Sequence, residues 1–334
     1  MNIVLLGAGG QLGRQLARSL AALGTLTALT RTGRPATAAH PALCGDLCQP
    51  SALAQTLSHL RPDVVVNAAA YTNVDHAEIN PQAAHAVNAR GCEALASAVQ
   101  ELGAHLVHFS TDYVFDGAGE KPWQESDLCR PLNAYGRSKL AGEQAIAAAC
   151  SRYWIFRTSW LYELASTNFL TTVLDAAQRG ERLQIVCDQW GAPTRAAWVA
   201  DTLAQVLQPP ERGPARQQAA ASGIYHLAAA GHTDWYAYAQ YALQEASACG
   251  AQLKTTVQQV QAIAAAARGG TVRPVNSRLD TALLQTTFGI TPPPWQDGVR
   301  RVVAQWARAQ AQGQVQTPMQ TQAQAQTQLH TPVQ

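Results

Sequence analysis

Short aliphatic or β-branched runs alternate with longer, alanine-rich stretches through the first half of the chain. The runs Asn2–Leu6, Leu26–Thr30, Asp63–Asn67, His105–Ser110 and Tyr153–Arg157 have the length and residue types of buried strands. Between them, helices are predicted from about Gln11 to Leu23, Ser51 to Leu60, Pro81 to Leu102 and Ala134 to Ala149. Asn80 before Pro81 gives the third helix an N-cap acceptor and a first-turn proline. Strands that alternate with helices in this way predict an α/β fold with a parallel sheet.

After Arg157 the alternation loosens. The segments Leu183–Val186, Gly223–Leu227 and the helix-like Asp234–Ala248 suggest a smaller lobe built from the later sequence, and Pro292–Trp295 precedes a predicted helix over Gln296–Ala309. From Gln310 onward ten of twenty-five residues are glutamine, with few apolar anchors. Such a tail buries too little surface to offset its ordering entropy and is expected to be disordered.

Composition narrows the function. With 334 residues the chain has room for a large core. A net charge of +2 with 14% charged residues gives no basic field for nucleic acid and no polybasic cluster for a membrane, so the expected partner is a small molecule. The seven cysteines are odd in number and scattered, with no spacing suited to zinc, which fits a reducing compartment. No stretch has the form of a signal peptide or a membrane span, so a cytoplasmic protein is expected.

Candidate chemistry begins at Gly7-Ala-Gly-Gly10-Gln11-Leu12-Gly13, which follows an apolar strand and opens a helix. Glycines let the backbone turn sharply and approach a pyrophosphate, which the free N–H groups of the helix start attract. A dinucleotide site is predicted here. The second strand ends at Thr30-Arg31-Thr32-Gly33-Arg34, where an NAD-specific site would place an acidic residue. Guanidinium groups suit a 2′-phosphate, so NADPH is preferred over NADH. Asp46 and Leu47 would lie near the adenine, and Ala68, Ala69 and Ala70 either leave room for the cofactor backbone or serve simple close packing.

Lys139 is one of only three lysines and follows Tyr135 by four residues. On a helix the two share a face, and an ammonium beside a phenol favours the phenolate, pulling the tyrosine pKa toward working pH. Thr111, at the end of the strand before them, places a hydroxyl where ligand chemistry gathers in such sheets. His105 and His108 on that strand are read as packing or backbone-bonding residues, and Glu125 and Asp188 are given no catalytic role.

The glycine pattern, the run Ser110-Thr111-Asp112-Tyr-Val-Phe and Tyr135-Gly-Arg-Ser-Lys139-Leu-Ala-Gly-Glu143 resemble the extended short-chain dehydrogenase/reductase family. More narrowly, Arg61–Thr72, Val74–Glu78, Phe156–Trp160, Asp188–Thr194 and Asn276–Leu279 resemble the dTDP-4-dehydrorhamnose reductase family, over residues 1 to about 308. The resemblance implies a Rossmann-type doubly wound parallel sheet with a smaller C-terminal substrate-binding lobe. Residues 1–160 would bind NADP(H), 161–309 would be mainly the lobe with some segments returning, and 310–334 the tail.

It also implies NADPH-dependent reduction of the C4 keto group of dTDP-4-dehydro-6-deoxy-L-mannose to dTDP-L-rhamnose, which supplies surface polysaccharide. Tyr135 would protonate the C4 oxygen, Lys139 would hold the nicotinamide ribose, and Thr111 would hydrogen-bond the carbonyl. Tyr71 and Thr72 would join Ala70 in the cofactor cleft, while Thr111, Asp112 and Trp160 would face the sugar nucleotide. A reductase of another nucleotide 4-keto-6-deoxy sugar, or a non-catalytic nucleotide-binding subunit, are the alternatives. Some members of the family dimerise through Mg²⁺ held by glutamates, one of them on the first helix. The matching position here is Gln15, a poor ligand for a hard cation, so no metal residue is assigned and a homodimer is left open.

Overall fold

The computed structural model describes residues 1–33, 42–208 and 221–313. Its centre is a six-stranded, all-parallel sheet. In chain order the first half runs β1 (Asn2–Leu6), α1 (Gln11–Leu20), β2 (Thr25–Leu29), α2 (Pro50–Leu60), β3 (Val64–Asn67), α3 (Val74–Ile79), α4 (Pro81–His85), α5 (Gly91–Glu101), β4 (His105–Thr111), α6 (Ala134–Ala149) and β5 (Tyr153–Thr158). The spatial order is Gly223–His226, β5, β4, β3, β1, β2, so the winding reverses between β1 and β3. A crevice at the carboxyl ends of the strands opens at such a reversal.

The strands are apolar because both faces are covered. Ile3, Leu5, Val66, Val107 and Phe156 point to one face, against Leu12, Leu16 and Leu20 of α1 and Val199 and Leu203 of the helix Ala196–Val206. Val4, Leu6, Val65, Leu106 and Ile155 point to the other, against Leu53 and Leu57 of α2, Leu95 and Val99 of α5 and Ile146 of α6. Each fully buried aliphatic side chain contributes roughly 1.5–3 kcal/mol. A separate core lies between the helices Phe169–Arg179, Trp235–Ala248 and Trp295–Ala311, where Leu174, Tyr238, Leu243, Val299 and Val303 pack.

Three sequence expectations need revision. Gly223–His226 is not part of the lobe but the sixth strand of the main sheet, parallel to β5, because its apolar residues complete that edge. The helix expected over Pro81–Leu102 contains a π turn at Ala86–Arg90 between α4 and α5. Gln310 and Ala311 close the last helix, and Gln178 Nε2 donates to Gln310 Oε1 at 3.1 Å, so the expected tail starts later than Gln310. Residues 314–334 lie outside the described residues. Among the described residues, no helix is long and apolar enough to cross a membrane.

Candidate active site

The turn after β1 shapes the first half of the site. Gly7 has φ +78°, and a Cβ there would fall 2.5 Å from Ala69 N, so only glycine lets the turn sit against the end of β3. Gly10 caps α1 with no side chain, which leaves the helix start open to an anion. Above it lies a cavity of about 780 Å³. Gly7, Gly10, Arg31, Asp46, Leu47, Ala68, Ala69, Ala70, Tyr71 and Thr72 all line it. Arg34 lies outside the described residues. Gly13 lines neither this cavity nor the next one. Its Cβ would meet Gly7 O at 2.0 Å, so it serves the packing of helix on turn.

Sequence reasoning missed Asn73 and His76, which also line this cavity; the Tyr71 hydroxyl meets His76 Nδ1. The π turn explains how this wall is held. It presents Asn88, whose Oδ1 accepts from Tyr71 N at 2.8 Å while Nδ2 donates to Tyr71 O at 2.9 Å and to Ser138 Oγ at 2.9 Å.

A second cleft of about 380 Å³ shares Ala68, Ala70 and Thr72 with the first and adds Gln11 and Leu12. Thr111 and Asp112 enter it from the end of β4, Tyr135 and Lys139 from α6, and Trp160 from beyond β5. Asn133 fixes the start of α6, its Oδ1 accepting from Gly136 N at 2.9 Å. Behind the cleft, Arg157 and Glu143 form a buried ion pair that ties α6 to β5.

Within the cleft, Thr111 Oγ1 donates to Asp112 Oδ1 at 3.1 Å and accepts from Tyr113 N at 3.2 Å. The Tyr135 phenol packs edge-on to Tyr113, with ring centroids 5.8 Å apart. Removal from water raises its pKa above the usual tyrosine value, and a hydrogen bond with Thr111 only partly opposes this. Burial pushes the Asp112 carboxyl up to about 7, against hydrogen bonds from Ser277 and Thr111 that favour the charged form.

Lys139 departs from the expected pairing. Tyr135 and Lys139 do line one cleft, but Nζ turns to the floor, donating to Phe109 O at 2.7 Å and lying 3.0 Å from His108 Nε2. Desolvation lowers the Lys139 pKa. Lys139 is not among the groups that move Tyr135, so the phenol is not pulled down by it here. The reading of His108 also changes. It is a side-chain partner of Lys139, whereas His105 packs on Trp154 with centroids 4.2 Å apart. Glu125 accepts from His226 N at 2.8 Å and Asp188 from Ala265 N at 2.8 Å, both away from the cleft.

Trp160 is at φ +46°, a strained conformation for a residue with a side chain. Its indole stacks on Trp235 at 3.5 Å between centroids and 13° between planes. Trp235, Phe169 and Tyr238 of the lobe complete the cleft, and no sequence signal marked them, because the fold brings them from distant segments. Gln15, the position weighed for a metal ligand, is buried on α1 and accepts from Arg18 Nη1 at 3.3 Å.

The family described as the RmlD substrate binding domain matches residues 1–308. The chain is 43% identical to the dTDP-4-dehydrorhamnose reductase of Salmonella typhimurium over 306 residues, covering 91% of this chain and 98% of that protein. It is 42% identical to that of Escherichia coli, with coverage of 91% and 97%. The solved dTDP-4-dehydrorhamnose reductase of Bacillus anthracis in complex with NADP superposes with a TM-score of 0.79 at 29% identity, covering 91% of this chain and 98% of that one.

Proposed function

The chain belongs to the RmlD substrate binding domain family, and from that premise we propose that it is an NADPH-dependent reductase of dTDP-4-dehydro-6-deoxy-L-mannose, forming dTDP-L-rhamnose. The observation that carries this reading is the meeting of Thr111, Tyr135 and Lys139 in a cleft that shares a wall with the glycine-turn cavity.

The dinucleotide fits the residues present. An uncapped helix start and a turn that only Gly7 permits suit a pyrophosphate, Asp46 and Leu47 suit the adenosine, Arg31 suits a 2′-phosphate, and Ala68–Thr72 line the path to the second cleft. When bound, the nicotinamide supplies hydride to the sugar C4.

The raised pKa of Tyr135 keeps its phenol protonated, the state needed to give a proton to the C4 oxygen as negative charge develops there. Thr111 donates a second hydrogen bond to that oxygen by turning its hydroxyl away from Asp112. Asp112 and Trp160 face the sugar nucleotide, with the aromatic side chains of residues 161–309 forming the far wall. Residues 1–160 hold the cofactor, and the reaction belongs in the cytoplasm.

Mixing the full chain with NADPH and the dTDP-4-keto sugar, and following absorbance of the reduced cofactor, tests the assignment. Oxidation of NADPH is expected; none, with the substrate proved competent by a control enzyme, would remove the assignment. Tyr135→Phe is expected to lose turnover by about 10²–10⁴-fold while still binding NADPH. Retained turnover would take Tyr135 out of its role.

A further inference from the structure

A third cavity lies outside the site already described. It encloses about 260 Å³ where the helix Ala196–Val206 meets the start of the helix Trp295–Ala311. Drug-sized ligands fill roughly 300–1,000 Å³, so this space suits one ring and excludes a sugar nucleotide. Tyr162 lines both this cavity and the catalytic cleft, and the two share no other described residue.

Tyr162 gives the first sign that a ligand belongs there. Its side chain is 1% exposed, and its hydroxyl has no hydrogen-bond partner among the described residues. Buried phenols normally find a partner, because a hydroxyl taken from water and left unpaired is destabilising. The hydroxyl is on the cavity side of the ring. A Cβ on Gly298, which also lines the cavity, would collide with it, so glycine there lets the phenol reach the cavity wall.

Charge narrows the ligand class. Two arginines and two aspartates line the cavity, so neither sign is in surplus. None of these four pairs with another of the four. Arg195 Nε meets Glu163 Oε2 at 3.4 Å, Asp297 Oδ1 accepts from Arg300 Nη1 at 3.1 Å, Asp201 Oδ1 accepts from Ser19 Oγ at 2.7 Å, and Arg301 is exposed. A bare anion would meet the aspartates, and a bare cation the arginines. A neutral polyol meets neither obstacle, since its hydroxyls accept from guanidinium N–H groups and donate to carboxylate oxygens. Trp198, Trp295, Pro193 and Pro293 make the rest of the wall apolar. The C–H face of a pyranose, slightly positive beside its oxygens, packs on the electron-rich face of an indole.

We propose that this cavity binds a single neutral 6-deoxyhexose ring. The methyl group and C–H face pack on tryptophan and proline, while the hydroxyls bond Tyr162, the two arginines and the two aspartates. Through Tyr162, occupancy of the cavity reaches a wall of the catalytic cleft.

L-rhamnose is the probe, titrated into the full chain and followed by calorimetry and saturation-transfer NMR. A single ring is expected to bind with a dissociation constant of about 1–10 mM. No saturation up to about 100 mM would overturn the proposal. Inorganic phosphate and the zwitterion L-proline should not compete. Competition by either would show that the cavity reads charge rather than hydroxyl groups, which also overturns it.

Variants locate the signal. Trp198→Ala, at a half-buried position, and Arg301→Ala, at an exposed one, should each weaken binding by about tenfold. Trp235→Ala, in the catalytic cleft, should leave it within about twofold. The opposite pattern would put the sugar in the catalytic cleft and end the proposal. Tyr162→Phe keeps the ring and drops the hydroxyl, so binding should weaken by about 3- to 10-fold. An unchanged constant would remove the contact on which the site rests. The titration uses neither cofactor nor nucleotide, so its failure and the failure of the proposed reduction are told apart.

Discussion

Arg157 and Glu143 face each other behind the cleft, Nη2 to Oε2 at 2.6 Å and Nε to Oε1 at 2.9 Å, each side chain only 2% exposed. Arg157 is on β5 and Glu143 on α6, the helix that also carries Tyr135 and Lys139. Removing one partner leaves the other charge buried and alone, at a cost of about 3–5 kcal/mol. Glu143→Gln should therefore lower the urea midpoint by that equivalent without a large change in m. A loss under about 1 kcal/mol would mean that water or Cys129, 3.3 Å from Arg157 Nη2, takes over the guanidinium.

Asp112 gives a pH dependence with a definite sign. Its carboxyl moves from 3.8 unfolded to about 7 folded, so between these values the folded state binds more protons than the unfolded state. Stability contributed by this group falls as pH rises through that window and is level above it. Asp112→Asn removes the ionisation, so the variant should gain on the parent protein steadily from about pH 4 to 7. The ceiling is about 4 kcal/mol, from 1.36 kcal/mol per pH unit. Denaturant melts across that range check it, and parallel curves for the two proteins would show that Asp112 is not protonated at neutral pH.

Much of this site was legible in the sequence because each element announced itself locally. The glycine turn follows an apolar strand, Tyr135 and Lys139 are one helical turn apart, and Thr111 ends a strand. What local pattern does not encode is the direction of a long side chain. Lys139 has its Cα where expected, yet Nζ chooses the Phe109 carbonyl and His108, a competition decided by tertiary contacts. The same holds for Gly223–His226, whose apolar run reads alike in a lobe or at a sheet edge, and for Trp235, which enters the cleft only through folding of the lobe.

Gly191 tests that lobe wall. A Cβ on Gly191 would fall 2.5 Å from Trp160 Cε2, inside the indole that stacks on Trp235. Gly191→Ala should push Trp160 out of its place while leaving the glycine-turn cavity untouched. The expected result is a rise in KM for the dTDP-sugar of about 10–100-fold, corresponding to the loss of a well-packed aromatic contact of roughly 1.5–3 kcal/mol. NADPH affinity, measured by quenching or calorimetry, should stay within about twofold. An unchanged KM would place the sugar nucleotide away from Trp160.

Arg31 is expected to set the choice of cofactor. It lies at the end of β2, exposed, on the edge of the cavity lined by Gly10 and Asp46. A guanidinium there can hold a 2′-phosphate by charge-assisted bonds, each worth about 1.5–3 kcal/mol, whereas a 2′-hydroxyl gives it little to hold. Its exposure weakens the bond toward the lower value. Arg31→Ala should therefore weaken NADPH by about tenfold and NADH by less than about twofold, and raised salt should reproduce part of the NADPH loss in the parent protein. Measuring both dissociation constants at two salt concentrations settles the point, since equal losses for the two cofactors would mean that Arg31 does not read the phosphate.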